Sequence, residues 1–401
     1  MKRSVAMGWM LSLIIGLMAG WCSAASLPGL SDWMQSLVQD GKVVGCAAQV
    51  TQGGETIFFE AFGDRTPESD QDLRTDQIVR IYSMSKAITS VAVMQLVEQG
   101  SVGIDDPVSL YIPEFADIQV GLGDDAHPPK RAVTIRDLLT HTSGLAYDFS
   151  APELLKETYG ALFSGAGTLK EAAARMGEAP LVQEPGAGFV YGISTDVLGR
   201  VVEVVSGETF EDYLQAAIFE PLKMSDTSFT PPAGMEPMHI VTGGAGDLHI
   251  DVDHYQSQLA RALKPRFQSG GGGLWSTMSD YTRFMQAMER YGELDDVRIL
   301  KAKTVAFMTQ NQLSPAYEKP QRFGLGFGLA EPEQTSWGPR GAGRWTWGGA
   351  ASTFFFIDPT QDLTAIFITQ KFPFDFAIGS GFNKAVLEAI AARKANGEPG
   401  K

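Results

Sequence analysis

The stretch Arg80-Ile81-Tyr82-Ser83-Met84-Ser85-Lys86-Ala87-Ile88-Thr89-Ser90 is the one around which the chain is organised. It places Ser83 and Lys86 three residues apart, next to an apolar run that predicts a helix. Residues three apart share one helix face, so the amine can reach the hydroxyl. Lysine can take the proton of a serine only if its pKa is lowered. Burial and the positive amino end of the helix are expected to lower it here. Because this spacing also arises by chance, its meaning depends on the rest of the chain.

Composition indicates a folded protein that does not bind nucleic acid. The chain has 401 residues, of which 44% are hydrophobic and 20% charged, so it can bury one large core or two interlocked ones. Its formal net charge is -15, and the sequence contains no patch rich in Lys and Arg. Nucleic acids and anionic membranes bind to positively charged surfaces, so this net charge argues against both as partners.

The first 25 residues have the pattern of a secretory signal peptide. Lys2 and Arg3 precede an apolar run, Leu11 to Ala19, and small residues follow at Cys22-Ser23-Ala24-Ala25. The run is too short to span a bilayer, so no stable membrane insertion is expected after cleavage. An uncleaved anchor and a lipid on Cys22 are the alternatives, the latter disfavoured by bulky Trp21. The expected location is therefore periplasmic or secreted.

Strand patterns lie at both ends of the remaining chain and helical patterns in the middle. The predicted strands are Val43 to Thr51, Glu55 to Phe62, Trp345 to Phe356 and Leu363 to Thr369, and a helix from Phe382 to Arg393 closes the chain. The predicted fold class is therefore α/β. An antiparallel sheet, flanked by helices and built from both chain ends, carries an inserted, mainly helical domain. The predicted boundaries are 26–100 with 280–401 for the sheet domain and 101–279 for the insert.

Several motifs share one order with a known family. They are Ser83-Met84-Ser85-Lys86, Leu138-Leu139-Thr140-His141-Thr142-Ser143-Gly144-Leu145, Tyr191, Gly270 to Leu274 and Trp347-Gly348-Gly349. In this respect the chain resembles the serine β-lactamase-related superfamily, which includes class C β-lactamases, D-Ala-D-Ala carboxypeptidases and family VIII carboxylesterases. The resemblance covers roughly residues 26 to 391 and implies the fold of that superfamily.

The resemblance also implies a role for each matching residue. Ser83 is the implied nucleophile, Lys86 its proton partner, and Tyr191 a proton carrier beside Lys86. A tyrosine has an ordinary pKa of about 10, so it needs a nearby cation to act as a base. The backbone N–H of Ala350, with that of Ser83, is the implied oxyanion hole, a device that commonly contributes a few kcal/mol to acyl transfer.

Two departures from the β-lactamase pattern restrict the class of substrate that is expected. Ile193 stands where β-lactamases carry an asparagine, and Trp347 stands where they carry a lysine. Trp347, Gly348, Gly349 and Ile193 are therefore predicted to contact substrate, without a cation for a substrate carboxylate. The Trp-Gly-Gly form resembles the family VIII esterases. The sequence accordingly favours an exported serine hydrolase that cleaves small neutral carboxylic esters with short or modest acyl groups, using no cofactor.

Alternative functions stay open at this stage. One is a class C-like β-lactamase or a D-Ala-D-Ala carboxypeptidase, and another is a binding protein with a vestigial site. His141 is expected to lie in a loop near the site rather than to act as the base. The acidic and histidine-containing run Asp247 to His254 lacks a defined ligand spacing, so no metal is expected. The sequence does not indicate an oligomeric state.

Overall fold

A six-stranded antiparallel sheet joins the two ends of the chain in the computed structural model. The structure describes residues 27–397, apart from 70, 164–166, 253–266, 316, 318–321 and 331–342. The predicted signal peptide, residues 1–25, therefore lies outside the described residues. None of the helices in the described ranges is long and apolar enough to cross a membrane.

The helices and strands have the following bounds. The described helices are α1 Pro28–Gln39, α2 Ser85–Glu98, α3 Ile135–Leu139, α4 Lys156–Ala161, α5 Leu169–Glu178, α6 Ser194–Ser206, α7 Phe210–Leu214, α8 Glu220–Leu222, α9 Met278–Glu289, α10 Ala302–Met308 and α11 Phe376–Ala395. The described strands are β1 Gly45–Gln52, β2 Glu55–Gly63, β3 Val79–Arg80, β4 Val241–Thr242, β5 His249–Ile250, β6 Trp275–Ser276, β7 Glu293–Leu294, β8 Val297–Arg298, β9 Gly328–Leu329, β10 Trp345–Gly349, β11 Thr353–Asp358 and β12 Leu363–Ile368.

The sheet has the strand order β2-β1-β12-β11-β10-β9. Strand β1 pairs with β12, with Ala48 opposite Phe367, so the first and last strands of the predicted set are neighbours. This confirms the predicted fold class, an antiparallel sheet built from both chain ends with helices between them. The exact domain boundaries, at residues 100 and 279, stay a prediction.

Alternate side chains of the sheet enter two different cores. On one face, Phe354 and Phe367 pack with apolar residues of α1 and α11. On the other face, Phe355 and Ile366 join the larger core, which includes α2 and α9. The period of two is the ordinary geometry of a pleated strand. Both faces are thereby covered, and the sheet is a rigid support for the segments that follow its strands.

Two predicted elements have different bounds in the structure. The run expected from Trp345 to Phe356 is a hairpin of β10 and β11, because Ser352 takes a positive φ of 59° and the chain reverses there. The closing helix begins at Phe376, six residues before the predicted start, because Asp375 caps it by accepting the Ala377 N–H. Helix α3 begins with a capping box, in which the Thr134 side chain accepts the Asp137 N–H and the Asp137 carboxylate accepts the Thr134 N–H.

Candidate active site

Ser83 lies on a sharp turn between β3 and α2. The 3₁₀ turn Tyr82–Met84 carries it, and Tyr82 has a positive φ of 45°, which is rare for a residue with a side chain. Such strain persists only where the surrounding structure fixes it. Ser83 is half-buried and faces a cavity, whereas Lys86 in the first turn of α2 is 1% exposed.

Lys86 has three hydrogen-bond acceptors around its amine. Its Nζ lies 3.1 Å from Ser83 Oγ, 2.9 Å from Tyr147 Oη and 2.6 Å from the Gly271 carbonyl oxygen. A lysine ammonium has three donors and no acceptor, so these three partners satisfy the charged form completely. The geometry therefore describes a protonated Lys86 in the resting protein.

The charges around Lys86 agree with that reading. Burial lowers the pKa of Lys86, but negative charge on Tyr147, Tyr191 and Asp196 outweighs burial and raises this pKa above its ordinary value. The expectation that burial and the helix end leave Lys86 with a lowered pKa is therefore wrong. The physical reason is that Tyr147, Tyr191 and Asp196, which come from distant segments of the chain, surround the amine.

Two tyrosines contact Lys86 in different ways. The Tyr191 ring centroid lies 4.9 Å from Lys86 Nζ, and the Tyr191 hydroxyl accepts a long hydrogen bond of 3.4 Å from the Trp347 indole N–H. The hydroxyl that binds Lys86 directly belongs to Tyr147. Burial raises the pKa of Tyr147, and the Lys86 cation opposes that shift. The site thus has a second tyrosine that the sequence analysis did not identify.

Asp196 is a buried carboxylate beside this network. It lies in the first turn of α6, where its Oδ1 accepts hydrogen bonds from the Ser269 hydroxyl at 2.5 Å and the Gly271 N–H at 3.2 Å. Its Oδ2 is buried without a hydrogen-bond partner among the described residues. Burial raises the pKa of Asp196, and Lys86 lowers it in part. Asp196 and Lys86 are thus buried ionisable groups of opposite sign, joined through the backbone of Gly271.

Strand β10 lies directly against the turn that carries the nucleophile. A Cβ atom at Gly349 would collide with the Ile81 carbonyl oxygen and with the Thr353 hydroxyl. Only glycine therefore allows this approach. Ser83, Trp347, Gly348, Gly349 and Ala350 all line the same cavity. Their roles in the oxyanion hole and in substrate binding stay predictions.

The structure gives Ile193 a different environment from the one predicted. Its side chain is fully buried in the large core at the start of α6, and it is not among the described residues that line the cavity. The predicted contact of Ile193 with substrate stays a prediction, and this buried position does not support it. An apolar side chain immediately before an amphipathic helix is drawn into the core rather than into the cleft.

His141 lies behind Tyr191 rather than beside Ser83. The ring centroids of His141 and Tyr191 are 5.0 Å apart, and the Gly192 N–H donates to His141 Nδ1 at 3.4 Å. Burial, followed by the Lys86 charge, lowers the pKa of His141 well below its ordinary value. A neutral imidazole that accepts at Nδ1 carries its proton on Nε2. Its ring supports Tyr191 from behind.

The cavity above Ser83 has a volume of about 920 Å³. Twelve of its lining residues are aromatic: Tyr82, Tyr147, Phe149, Phe163, Phe189, Tyr191, Phe229, Phe267, Trp347, Phe372, Phe374 and Phe376. Among the described residues, no group of three or more His, Cys, Asp or Glu is arranged to hold a metal ion. Of the run Asp247 to His254, Asp253 and His254 lie outside the described residues.

Known proteins resemble this chain in sequence and in fold. The β-lactamase family model matches residues 30–387. Esterase EstB of Burkholderia gladioli is 28% identical over 86% of this chain and 91% of its own length. Lovastatin esterase of Penicillium rubens is 28% identical over 83% of this chain and 90% of its own. A solved structure, EstCE1, described as a hydrolase with promiscuous acyltransferase activity, superposes with a TM-score of 0.79 at 24% identity, covering 90% of this chain and 97% of that one. The chain therefore belongs to the β-lactamase family and is a serine hydrolase that resembles its carboxylesterases.

Proposed function

We propose that the protein is an exported carboxylesterase that cleaves neutral esters through an acyl-enzyme on Ser83. The observation that carries the proposal is the contact of Ser83 Oγ with Lys86 Nζ, 3.1 Å apart at the base of an apolar, aromatic cavity. Similarity to esterase EstB and to lovastatin esterase also supports ester hydrolysis. A nucleophile, a fixed cation and a shielded cleft are the parts that acyl transfer needs.

The reaction has two balanced halves. Ser83 Oγ attacks the ester carbonyl, and its proton passes to the oxygen of a tyrosinate, on Tyr147 or Tyr191, which the neighbouring Lys86 cation stabilises. The carbonyl electrons collapse back, the C–O bond to the alcohol breaks, and the alcohol oxygen takes that proton. Water then attacks the acyl-Ser83 ester by the same route and releases the carboxylic acid. Backbone N–H groups of Ser83 and Ala350 hold the oxyanion in both halves.

Hydrolysis of anionic β-lactams or peptides is disfavoured by the lining of the cavity. Of the described lining residues, only Arg80 and Asp196 carry a charge. The Arg80 guanidinium donates two hydrogen bonds to the Gly272 carbonyl and lies over the Tyr82 ring, 5.1 Å from its centroid. Trp347 occupies the position where a cation would meet a substrate carboxylate. A neutral ester needs no such partner.

The test measures ester cleavage and labelling of the nucleophile. Purified protein is expected to hydrolyse p-nitrophenyl acetate and butyrate with a kcat/KM far above that for nitrocefin. Ser83→Ala is expected to lose this activity and labelling by a fluorophosphonate. Ser85→Ala is the matched control, because Ser85 lies two residues away, is fully buried and serves as acceptor for the Leu274 N–H. Labelling of Ser83→Ala at the wild-type rate, or faster turnover of nitrocefin than of esters, contradicts the proposal.

Export is proposed from the pattern of residues 1–25 alone. The expected observation is a periplasmic or secreted protein whose mass lacks about the first 25 residues. The measurement is intact mass after cell fractionation, with Lys2→Glu/Arg3→Glu as the variant expected to reduce export. Recovery of the full-length mass from the cytoplasm contradicts this part of the proposal and leaves the chemistry of Ser83 untouched.

A further inference from the structure

The cavity above Ser83 is larger than a short ester requires. Its volume of about 920 Å³ lies near the upper end of the range of about 300–1,000 Å³ typical of pockets for drug-sized ligands. A two- to four-carbon acyl group with a small alcohol fills a minor part of such a space. Apolar surface left in water inside the cavity is unfavourable, so a larger apolar ligand gains free energy there.

The aromatic rings come from two separate parts of the chain. The insert group consists of Phe149, Phe163 and Phe267, and the rings of Phe163 and Phe267 meet edge-on with centroids 5.6 Å apart. The terminal group consists of Phe372, Phe374 and Phe376, which follow β12. Two walls of rings offer stacked and edge-on contacts to a ring-bearing ligand.

The terminal group is anchored in the sheet and extends to the surface. The Phe374 ring lies 4.9 Å from that of Phe354 in β11 and 4.7 Å from that of Phe376, between centroids. Phe354 is buried, whereas Phe376 is 63% exposed. A supported line of rings therefore leads from the core of the sheet to the open edge of the cavity.

The insert group is likewise connected by a ring contact, which leads from Phe149 through Tyr147 to Lys86. Phe149 is 71% exposed, and its ring stacks on Tyr147 with centroids 5.1 Å apart and an interplanar angle of 20°. Tyr147 in turn binds Lys86. A substrate ring that packs on Phe149 is therefore separated from Lys86 by only Phe149 and Tyr147.

The open edge is the place for the alcohol part of the ester. The alcohol must depart while the acyl group stays on Ser83, so its path runs toward solvent. Phe149 and Phe376 are the lining phenylalanines that are most exposed on that path. Neither of the two charged lining residues lies at this edge as a free charge, because Arg80 is bound to the Gly272 carbonyl and Asp196 is 1% exposed, so the cavity favours an uncharged group there.

We propose, on the basis of the esterase function proposed above, that the substrate is a neutral ester of a large, ring-bearing apolar alcohol. Phe149 and Phe376 are the specificity-determining residues that hold this alcohol at the open edge. The acyl part is the smaller half of the molecule.

The test compares two butyrate esters of primary alcohols, ethyl butyrate and 2-naphthylmethyl butyrate. Wild type is expected to prefer the naphthylmethyl ester by at least about tenfold in kcat/KM, as apolar pocket contacts commonly give. Phe149→Ala and Phe376→Ala are each expected to reduce this preference by about three- to tenfold, mainly through KM. Leu154→Ala is the matched control, since Leu154 is 76% exposed and does not line the cavity; it should retain the wild-type preference.

Each outcome decides a different point. Equal kcat/KM for the two esters, or alanine variants that retain the wild-type preference, overturns the alcohol assignment while the esterase function stands. A preference for ethyl 2-naphthylacetate over 2-naphthylmethyl butyrate places the ring on the acyl side and also overturns it. Failure to cleave any of the three esters, with no fluorophosphonate label on Ser83, overturns the esterase function itself.

Discussion

Tyr147→Phe is the substitution that tests the network around Lys86 most directly. It removes one hydroxyl, and with it the 2.9 Å hydrogen bond from Lys86 Nζ, and it keeps the ring that stacks on Phe149. Lys86 is 1% exposed, so water does not readily replace the lost acceptor. The expected effect is therefore on catalysis, with the fold intact.

The expected magnitude follows from the kind of hydrogen bond that is lost. A hydrogen bond to a charged group contributes about 1.5–3 kcal/mol. At about 1.4 kcal/mol per tenfold change in rate, kcat/KM should fall by about 10- to 150-fold. Tyr191→Phe loses only the long contact with the Trp347 indole, unless its hydroxyl carries the proton as the resemblance predicts. In that case its loss should reach about 10²- to 10⁴-fold.

The assay follows kcat/KM for p-nitrophenyl butyrate together with the rate of fluorophosphonate labelling. The labelling rate reports the nucleophilicity of Ser83 without deacylation, and thermal unfolding checks that each variant is folded. A Tyr147→Phe enzyme within threefold of wild type in both rates refutes the role of this hydrogen bond. A larger loss in Tyr147→Phe than in Tyr191→Phe assigns the proton transfer to Tyr147 instead.

Three further predictions concern other parts of the protein. Asp196→Asn removes an anion that raises the pKa of Lys86, so the alkaline limb of the kcat/KM profile, where Lys86 loses its proton, should move to lower pH; an unchanged alkaline limb contradicts this. Burial raises the pKa of Glu289 to about 7, so the folded protein holds this proton between about pH 4.5 and 7 and loses about 3 kcal/mol of stability as pH rises through that window. Glu289→Gln should then be more stable than wild type at pH 8 and similar to it at pH 5 in urea unfolding. Gly349→Ala should lower kcat/KM by about 10²-fold, because β10 must move away from the nucleophile, whereas Gly244→Ala, which has open space, should not; equal activities rule this out.

The fold was predictable because its signals are local and repeated. The hairpin of β1 and β2 follows from two short strand-like runs joined through Gly53-Gly54, and the strands β11 and β12 follow from similar apolar runs near the other end. The end of β10 was not visible, since Ser352 takes a positive φ that its residue type does not favour. The early start of α11 was hidden by the phenylalanine-rich segment that precedes it, whose rings face the cavity rather than following a helical period.

The site was only half predictable, because half of it depends on contacts between distant segments. Ser83 and Lys86 are linked by a spacing of three, but Tyr147 reaches Lys86 across 61 positions in the sequence. One signal was available: Asp196 is an acidic residue inside the apolar helical pattern of α6, and buried acids are rare unless they have a partner. A carboxylate on the buried face of a helix requires a nearby cation, and Lys86 is the cation whose sequence environment was already unusual. Pairing those two residues predicts a raised rather than a lowered pKa for Lys86. The base is therefore expected to be a tyrosinate that Lys86 stabilises, and not Lys86 itself.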